Sequence, residues 1–255
     1  MLLLKLLLGT GLLCGSLQAQ QARTISLRSD FPPEMALVTN VPEYTAGDSS
    51  PLIIAGSWKN NGQQRECQSL LKFDYNKLPL SLTNDPHIIS LAELVLYPVD
   101  SVIEQADINK QGRFMIRRIV EDWIDSATMW DNMPAVDSSY EVRKQIKIKR
   151  RNGEMRVDVT QLVKEMLLYG NKGFLIAPDT LYEKALASAS IFASPLNPDK
   201  NIRPLLRITY WLPGRDNYSE QSPIPPIRKR EPDTPRYTPP VRTVTTPAPG
   251  SGRES

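Results

Sequence analysis

The sequence has few of the side chains that bind metals or form disulfides. Among its 255 residues there are two cysteines, Cys14 and Cys67, and a single histidine, His87. Two cysteines are too few for the disulfide framework on which many small secreted domains depend. A zinc site would have to use mostly carboxylates, which are not the usual ligands of zinc. We therefore expect no metal centre and no cofactor.

The motifs of common catalytic sites are also missing. A Ser-His-Asp triad would have to use His87, and neither a Gly-x-Ser-x-Gly motif nor a glycine-rich phosphate loop occurs. No spacing singles out a pair of carboxylates that could hydrolyse a glycosidic bond. The formal net charge of +3 is too close to zero to indicate a nucleic-acid partner. We predict that the protein is not an enzyme and does not bind nucleic acid.

The first 19 residues have the pattern of a secretory signal peptide. Lys5 is followed by a short apolar run and then by small and polar residues up to Ala19. The run is shorter than a bilayer-spanning helix, which needs about 20 apolar residues. We predict cleavage after Ala19, export to the periplasm, cell surface or medium, and no transmembrane anchor in the mature chain. Cys14 offers a lipoprotein as the alternative, which is less favoured because Leu13 is large for a lipid-processing site.

Prolines are concentrated at the other end of the chain. Ten of the 22 prolines fall within residues 212–255. Few aliphatic side chains separate them, so this segment cannot bury enough apolar surface to offset the entropy lost on ordering. We predict a disordered Pro-rich C-terminal tail over residues 212–255.

The middle of the chain contains short β-like runs separated by turn signals. After an N-terminal extension or first strand at 20–44, the runs lie at 52–55, 69–74, 92–97, 114–120, 145–149, 173–177, 189–193 and 205–210. Asn-Gly pairs at 61–62 and 152–153 mark turns. Evenly spaced strands of this kind predict an all-β domain over residues 45–211, either a β-sandwich or a jelly roll.

One short helix is indicated within this domain. Asp158 and Thr160 offer a cap at its start, and Gly170 marks its end. Between them, apolar side chains share one face and charged side chains the other: Leu162, Met166 and Tyr169 against Lys164 and Glu165. We predict that this helix packs across one end of the sandwich.

Four segments between residues 69 and 210 follow one another in a distinctive order. The first is a strand that ends in a Leu-Pro turn at 78–79, and the second is the strand at 91–97. The third and most specific spans residues 123–134, and the fourth runs from residue 157 through the helix to the last strand. Their distinctive residues are Phe73, Trp123, Thr128, Trp130, Asn132, Pro134, Asp158, Thr160, Gly173 and Pro204.

In their order and spacing these segments resemble the DNRLRE domain, a secreted β-sandwich family that includes alginate-binding carbohydrate modules. The resemblance covers residues 45–211 and implies a β-sandwich in which the distinctive residues maintain the fold. It also implies a polysaccharide as the ligand. The Asp-Asn-Arg-Leu-Arg-Glu string is absent, and Met166 stands where the family often has a tryptophan.

The two tryptophans of the third segment allow two interpretations. Trp123 and Trp130 could stack on a glycan, or they could lie in the interior while Thr128 and Asn132 bond the turning backbone. We favour the structural role. Three nearby carboxylates are either a calcium site or, as we favour, solvated loop residues: Asp122, Asp125 and Asp131.

A basic segment at residues 143–156 carries seven cations against the single acidic residue Glu154. Strand alternation would turn Ile146 and Ile148 inward and the intervening lysines outward, ahead of the Asn-Gly turn at 152–153. Guanidinium groups bind carboxylate and sulfate bidentately, so an acidic polysaccharide is a fitting ligand. The candidate ligand-binding residues are Lys147, Lys149, Arg150 and Arg151. The alternative is an edge strand kept soluble by its charges.

Taken together, these features predict an exported, non-catalytic β-sandwich that binds carbohydrate at or outside the cell envelope. The alternative is a structural or assembly protein whose partner is another cell-surface protein, with the tail as a spacer.

The predicted tail leads to a simple test. A chain ending at Leu212 should melt at nearly the temperature of the full mature protein, because residues 213–255 add no core. Thermal unfolding followed by circular dichroism measures this. A loss of more than about 4 °C, roughly 1 kcal/mol for a domain of this size, would show that the tail docks.

Overall fold

Some strands of the domain alternate buried and less buried side chains, whereas others are buried along their whole length. The computed structural model describes residues 21–28, 34–40, 50–60, 62–99, 112–146, 153–179 and 188–212. The predicted signal peptide at 1–19 and the predicted tail beyond Leu212 lie outside these residues. Leu212, the first residue of that predicted tail, packs against the core. No helix in the described part of the chain is long and apolar enough to span a bilayer.

Two antiparallel sheets form the described domain, which confirms the predicted all-β fold. The smaller sheet has the order β1 (Ala22–Arg28), β11 (Leu205–Trp211), β5 (Ile89–Leu96) and β8 (Met155–Asp158). The larger has the order β10 (Ser188–Ala193), β3 (Leu52–Asn60), β4 (Gln63–Lys72), β9 (Phe174–Pro178), β6 (Arg113–Ile119) and β7 (Val136–Gln145), with β2 (Glu34–Thr39) also pairing with β4. Seven of the eight predicted runs coincide with these strands.

Apolar side chains from both sheets form one core between them. Leu94 and Leu206 of the smaller sheet share this cluster with Leu71 and Ile116 of the larger. Two edge-to-face aromatic pairs lie within it, with ring centroids 6.4 Å apart for Phe73 and Phe174 and 5.2 Å apart for Phe114 and Phe192. Burial of these side chains supplies the main favourable free energy of folding.

The larger sheet curls because β3 leaves β4 part of the way along it. Their backbone ladder ends where Gly56 pairs with Cys67. Beyond it, the buried Ser69 hydroxyl accepts a hydrogen bond from the Ile54 amide at 2.9 Å and donates to the Ile54 carbonyl at 3.0 Å. Cys67 is buried next to this point, as a small apolar residue would be.

The start of β6 meets β10 closely at Gly112. The Ser190 hydroxyl donates to the Gly112 carbonyl at 2.9 Å. A Cβ atom at position 112 would lie 2.6 Å from the Ala189 carbonyl carbon, closer than any side chain tolerates. Only glycine allows β6 to approach β10 in this way, and the approach brings the curled sheet back towards itself.

The predicted helix is present as α2 (Thr160–Tyr169), and it is preceded by α1 (Leu80–Asn84), a single turn that the sequence did not indicate. Leu162, Val163 and Met166 are buried in the core. The prediction was wrong for the end of the apolar face, because Tyr169 is 73% exposed. The chain turns away at Gly170, whose φ of +108° suits glycine.

Thr160 ties α2 to the smaller sheet. Its hydroxyl accepts a hydrogen bond from the Ala92 amide of β5 at 2.8 Å and donates to the Asp158 carboxylate at 2.6 Å. The Thr160 amide donates to the same carboxylate oxygen at 2.9 Å. One threonine therefore joins β5, the end of β8 and the first turn of the helix.

Replacing Thr160 with valine should destabilise the protein by about 1–3 kcal/mol, because the Ala92 amide would lose its partner. Urea unfolding measures the change, and Thr160→Ser should keep most of the stability since it keeps the hydroxyl. Equal midpoints for the valine variant and the unchanged protein would show that this link contributes nothing.

Candidate functional site

The predicted ligand-binding residues Lys147, Lys149, Arg150 and Arg151 lie outside the described residues, which stop at Ile146 and resume at Gly153. The structure describes the strands on either side of them, β7 before and β8 after. The candidate site is therefore built from the side chains of β7 and of β6, its only ladder partner among the described strands.

Strand register places charged side chains together on the outer face of β6 and β7. Phe114 and Ile116 point into the core, so the alternate residues of β6 point outward. Across the ladder Arg117 pairs with Glu141, and Arg113 pairs with Gln145. We call this the charged face, and it consists of Arg113, Arg117, Glu141, Arg143 and Asp179.

Glu141 is the centre of the charged face. Arg117 donates to its Oε2 atom from Nε at 2.8 Å and from Nη2 at 2.5 Å. Arg143 donates from Nε to the Oε1 atom of the same carboxylate at 2.7 Å. Burial raises the pKa of Glu141, but the hydrogen bonds from Arg117 and Arg143 outweigh burial and hold the pKa below its ordinary value.

Asp179 anchors the other side of Arg143. Its carboxylate is 2% exposed and forms an ion pair with the Arg143 Nη1 atom. Its amide donates to the Arg113 carbonyl at 3.1 Å, which fixes the end of β9 beside β6. Arg117 and Arg143 thus share two carboxylates on this face. Arg117 and Arg143 keep 25% and 29% of their side chains exposed.

The Trp loop (residues 121–135) folds over a neighbouring part of the outer face. Trp123 and Trp130 are partly buried against a cluster that includes Ile119, Leu70 and Leu175. The Trp123 indole N–H donates to the Lys172 carbonyl at 2.6 Å. Neither ring lies in the main core, and the structural role predicted for Trp130 stays a prediction.

The polar residues of the Trp loop bond its own backbone. The buried Thr128 hydroxyl donates to the Ile124 carbonyl at 2.7 Å. The Asn132 amide group donates to the Ala127 carbonyl at 2.9 Å, and its oxygen accepts from the Met129 amide at 2.5 Å. These contacts are those expected if both side chains hold the turning chain. Pro134 is buried at the end of the loop.

The other distinctive residues lie at joints between elements. Phe73 is buried at the end of β4, and Pro204 is buried immediately before β11. Gly173 has a φ of +94°, and a Cβ atom there would lie 2.7 Å from the Leu71 carbonyl oxygen. Only glycine therefore fits where β9 begins beside β4.

Two of the three carboxylates proposed for calcium have protein partners. Asp122 pairs with Lys172, and Asp125 accepts from the Ser126 amide at 2.9 Å. Among the residues that the structure describes, no group of three or more His, Cys, Asp or Glu side chains could hold a metal ion.

Several residues of the charged face did not follow from the sequence alone. Arg143 belongs to the basic segment, whereas Arg117, Glu141 and Asp179 come together only through the pairing of β6 with β7 and β9. The alternation of Glu141, Arg143 and Gln145 was the available signal. It was obscured because most residues of β7 are polar and none is fully buried.

A two-sheet antiparallel domain of this kind is an architecture that lectins share with many other proteins. A comparison with protein families matches residues 36–207 to carbohydrate-binding module family 96. This match covers more than half of the chain, so the protein belongs to that family. The DNRLRE name is not the one that matches, although a carbohydrate-binding class is common to both. A search of curated proteins gives no match.

The lowered pKa of Glu141 predicts a pH-dependent stability. The charged carboxylate stabilises the fold above its ordinary pKa, and this contribution is lost as the pH falls through the lower pKa of the folded state. Glu141→Gln should therefore be less stable than the unchanged protein at pH 7, and the difference should shrink on acidification. Urea midpoints measured from pH 7 downwards test this.

Glu34→Gln is the matched control, because the Glu34 pair with Lys72 is solvent-exposed and contributes little. A stability difference for Glu141→Gln that stays the same at every pH would contradict the prediction.

Proposed function

We propose that this carbohydrate-binding module is exported and non-catalytic, and that it binds an acidic polysaccharide at or outside the cell envelope. The observation that carries the ligand class is the course of β7. This strand holds Arg143 on the charged face and then leads directly into the cations of the basic segment, which meet no acidic residue before Glu154.

The charged face supports this ligand by its chemistry. Glu141 accepts two hydrogen bonds from Arg117 and two from Arg143, so each arginine here already binds a carboxylate oxygen through its Nε and Nη2 atoms. The carboxylate of a uronate, or two oxygens of a sulfate ester, can accept hydrogen bonds from a guanidinium in the same way. The cations of the neighbouring basic segment would offer this chemistry to an external ligand.

Two further observations support the remaining parts of the proposal. The pattern of residues 1–19 supports export, and the family class, which is generally non-catalytic, supports binding without turnover. A cell-surface protein as the partner is the alternative that the binding experiment distinguishes.

The test is a set of affinity measurements with an acidic polysaccharide such as alginate at increasing salt. Affinity should fall steeply with salt, because exposed charges are screened over about 8–10 Å. Changing Lys147, Lys149 and Arg151 together to glutamine should remove most of the binding. Stability should hardly change if these side chains point outward as the sequence predicts, because exposed side chains rarely contribute more than about 0.5 kcal/mol each.

The matched control changes three cations outside the basic segment to glutamine and so removes the same amount of charge elsewhere: Lys59, Lys164 and Lys200. Its affinity should stay close to that of the unchanged protein. Equal weakening in both triple variants would mean that only net charge matters. The absence of binding to any glycan would favour a protein partner.

A further inference from the structure

The ladder between β6 and β7 contains a large bulge. Arg117 pairs with Glu141, whereas Ile119 pairs with Val136, so residues 137–140 lie opposite Arg118 alone. Bulges of this kind redirect side chains and are common beside binding and active sites. Three consecutive residues of the bulge, at 138–140, are exposed.

Arg118 fills the space behind the bulge. Its side chain is 9% exposed, and its Nη2 atom donates to the Asp137 carboxylate at 2.6 Å. Its Nε atom lies 3.4 Å from the carboxylate of Glu165 in α2. The sequence pattern had placed Glu165 on the helix face opposite the apolar one. Hydrogen bonds from Ser139 and from Arg118 hold the pKa of Asp137 below its ordinary value, so this carboxylate is charged.

The guanidinium of Arg118 also supports an exposed aromatic ring. Its central carbon lies over the Tyr169 ring, 5.6 Å from the ring centroid. Tyr169 is 73% exposed, so one face of the ring rests on the cation while most of the side chain meets solvent. Leu168, its neighbour in the last turn of α2, is exposed as well.

Arg118 and the charged face lie on opposite sides of β6. Arg117 and Arg118 are consecutive residues of one strand, so their side chains point in opposite directions. Arg117 joins Glu141 on the outer face, while Arg118 reaches α2. A sugar ring on Tyr169 could not at the same time occupy the charged face.

We propose that Tyr169 is a stacking platform for a neutral pyranose ring, and that it forms a second carbohydrate contact independent of the charged face. The inference rests on the carbohydrate-binding part of the proposed function but not on its acidic ligand. A flat, exposed ring matches the apolar C–H face of a pyranose, and Arg118 holds that ring in place as a positioning residue.

The local charge selects against an acidic sugar. One guanidinium lies between the carboxyl groups of Asp137 and Glu165, so the surroundings of Tyr169 do not attract a uronate or sulfate. The exposed residues Ser138 and Ser139 provide uncharged hydrogen-bonding groups at the bulge for the hydroxyl groups of a neutral sugar.

The experiment measures migration in native gels that contain neutral polysaccharides, with hydroxyethylcellulose, β-glucan and galactomannan as the probes, at high salt to suppress charge contacts. The unchanged protein should be retarded by at least one probe. Tyr169→Ala should weaken this binding by about tenfold, whereas Tyr169→Phe, which keeps the ring, should retain it. Trp211→Ala removes an exposed aromatic from the smaller sheet and should have no effect.

Retention of neutral-glycan binding by Tyr169→Ala, or failure of every neutral probe to bind the unchanged protein, would overturn the proposal. The triple glutamine variant at Lys147, Lys149 and Arg151 distinguishes a failure of this proposal from a failure of the acidic-ligand proposal. It should bind the neutral probe normally, while Tyr169→Ala should bind alginate normally at low salt. Loss of both ligands in Tyr169→Ala, with an unchanged melting temperature, would mean a single shared site and would also overturn this inference.

Discussion

The short segment at residues 171–173, between α2 and β9, holds the larger sheet, the Trp loop and the helix in one arrangement. The Asn171 side chain donates to the Phe73 carbonyl at the end of β4, at 2.7 Å. The Lys172 carbonyl accepts from the Trp123 indole, and the Gly173 carbonyl accepts from the Ile119 amide at 2.9 Å. Since Gly173 has a positive φ and no room for a side chain, this junction requires glycine. The junction places β9 beside β6. It therefore fixes the position of the two arginine clusters, namely the charged face around Glu141 and the group formed by Arg118, Asp137 and Glu165.

Two consecutive arginines on β6 form ion pairs on opposite sides of the strand. Arg117 lies with Glu141 on the outer face, and Arg118 lies with Asp137 and Glu165 at the end of α2. The pleat of the strand separates them, so one strand supports a surface rich in cations on one side and an arginine flanked by carboxylates on the other. This separation is the physical basis for two carbohydrate contacts of opposite charge preference.

Much of the fold could be predicted because it depends on local patterns. Alternating apolar residues predicted strands such as β5. Asp158 and Thr160 at the start of α2, with Gly170 at its end, predicted the helix, in which Thr160 is the first residue. The sequence indicated β1 only as an N-terminal extension or first strand at 20–44, and it missed most of β7. Both strands lie at sheet edges and bury few side chains. The charged face and the Arg118 cluster depend on pairing between residues far apart in the chain and on a bulge, which no local period reveals.

The pairing of β1 with β11 has a mechanical consequence. Ala22 lies opposite Trp211, so the described domain begins and ends side by side on adjacent antiparallel strands. A force that pulls these two ends apart acts across the ladder and would break its hydrogen bonds one after another, rather than shearing them all together. Under load the domain would peel open from β1, at the edge of the smaller sheet. Once β1 has detached, the tension would act on β2, the next strand along the chain, which pairs with β4 of the larger sheet, and on β11 of the smaller sheet.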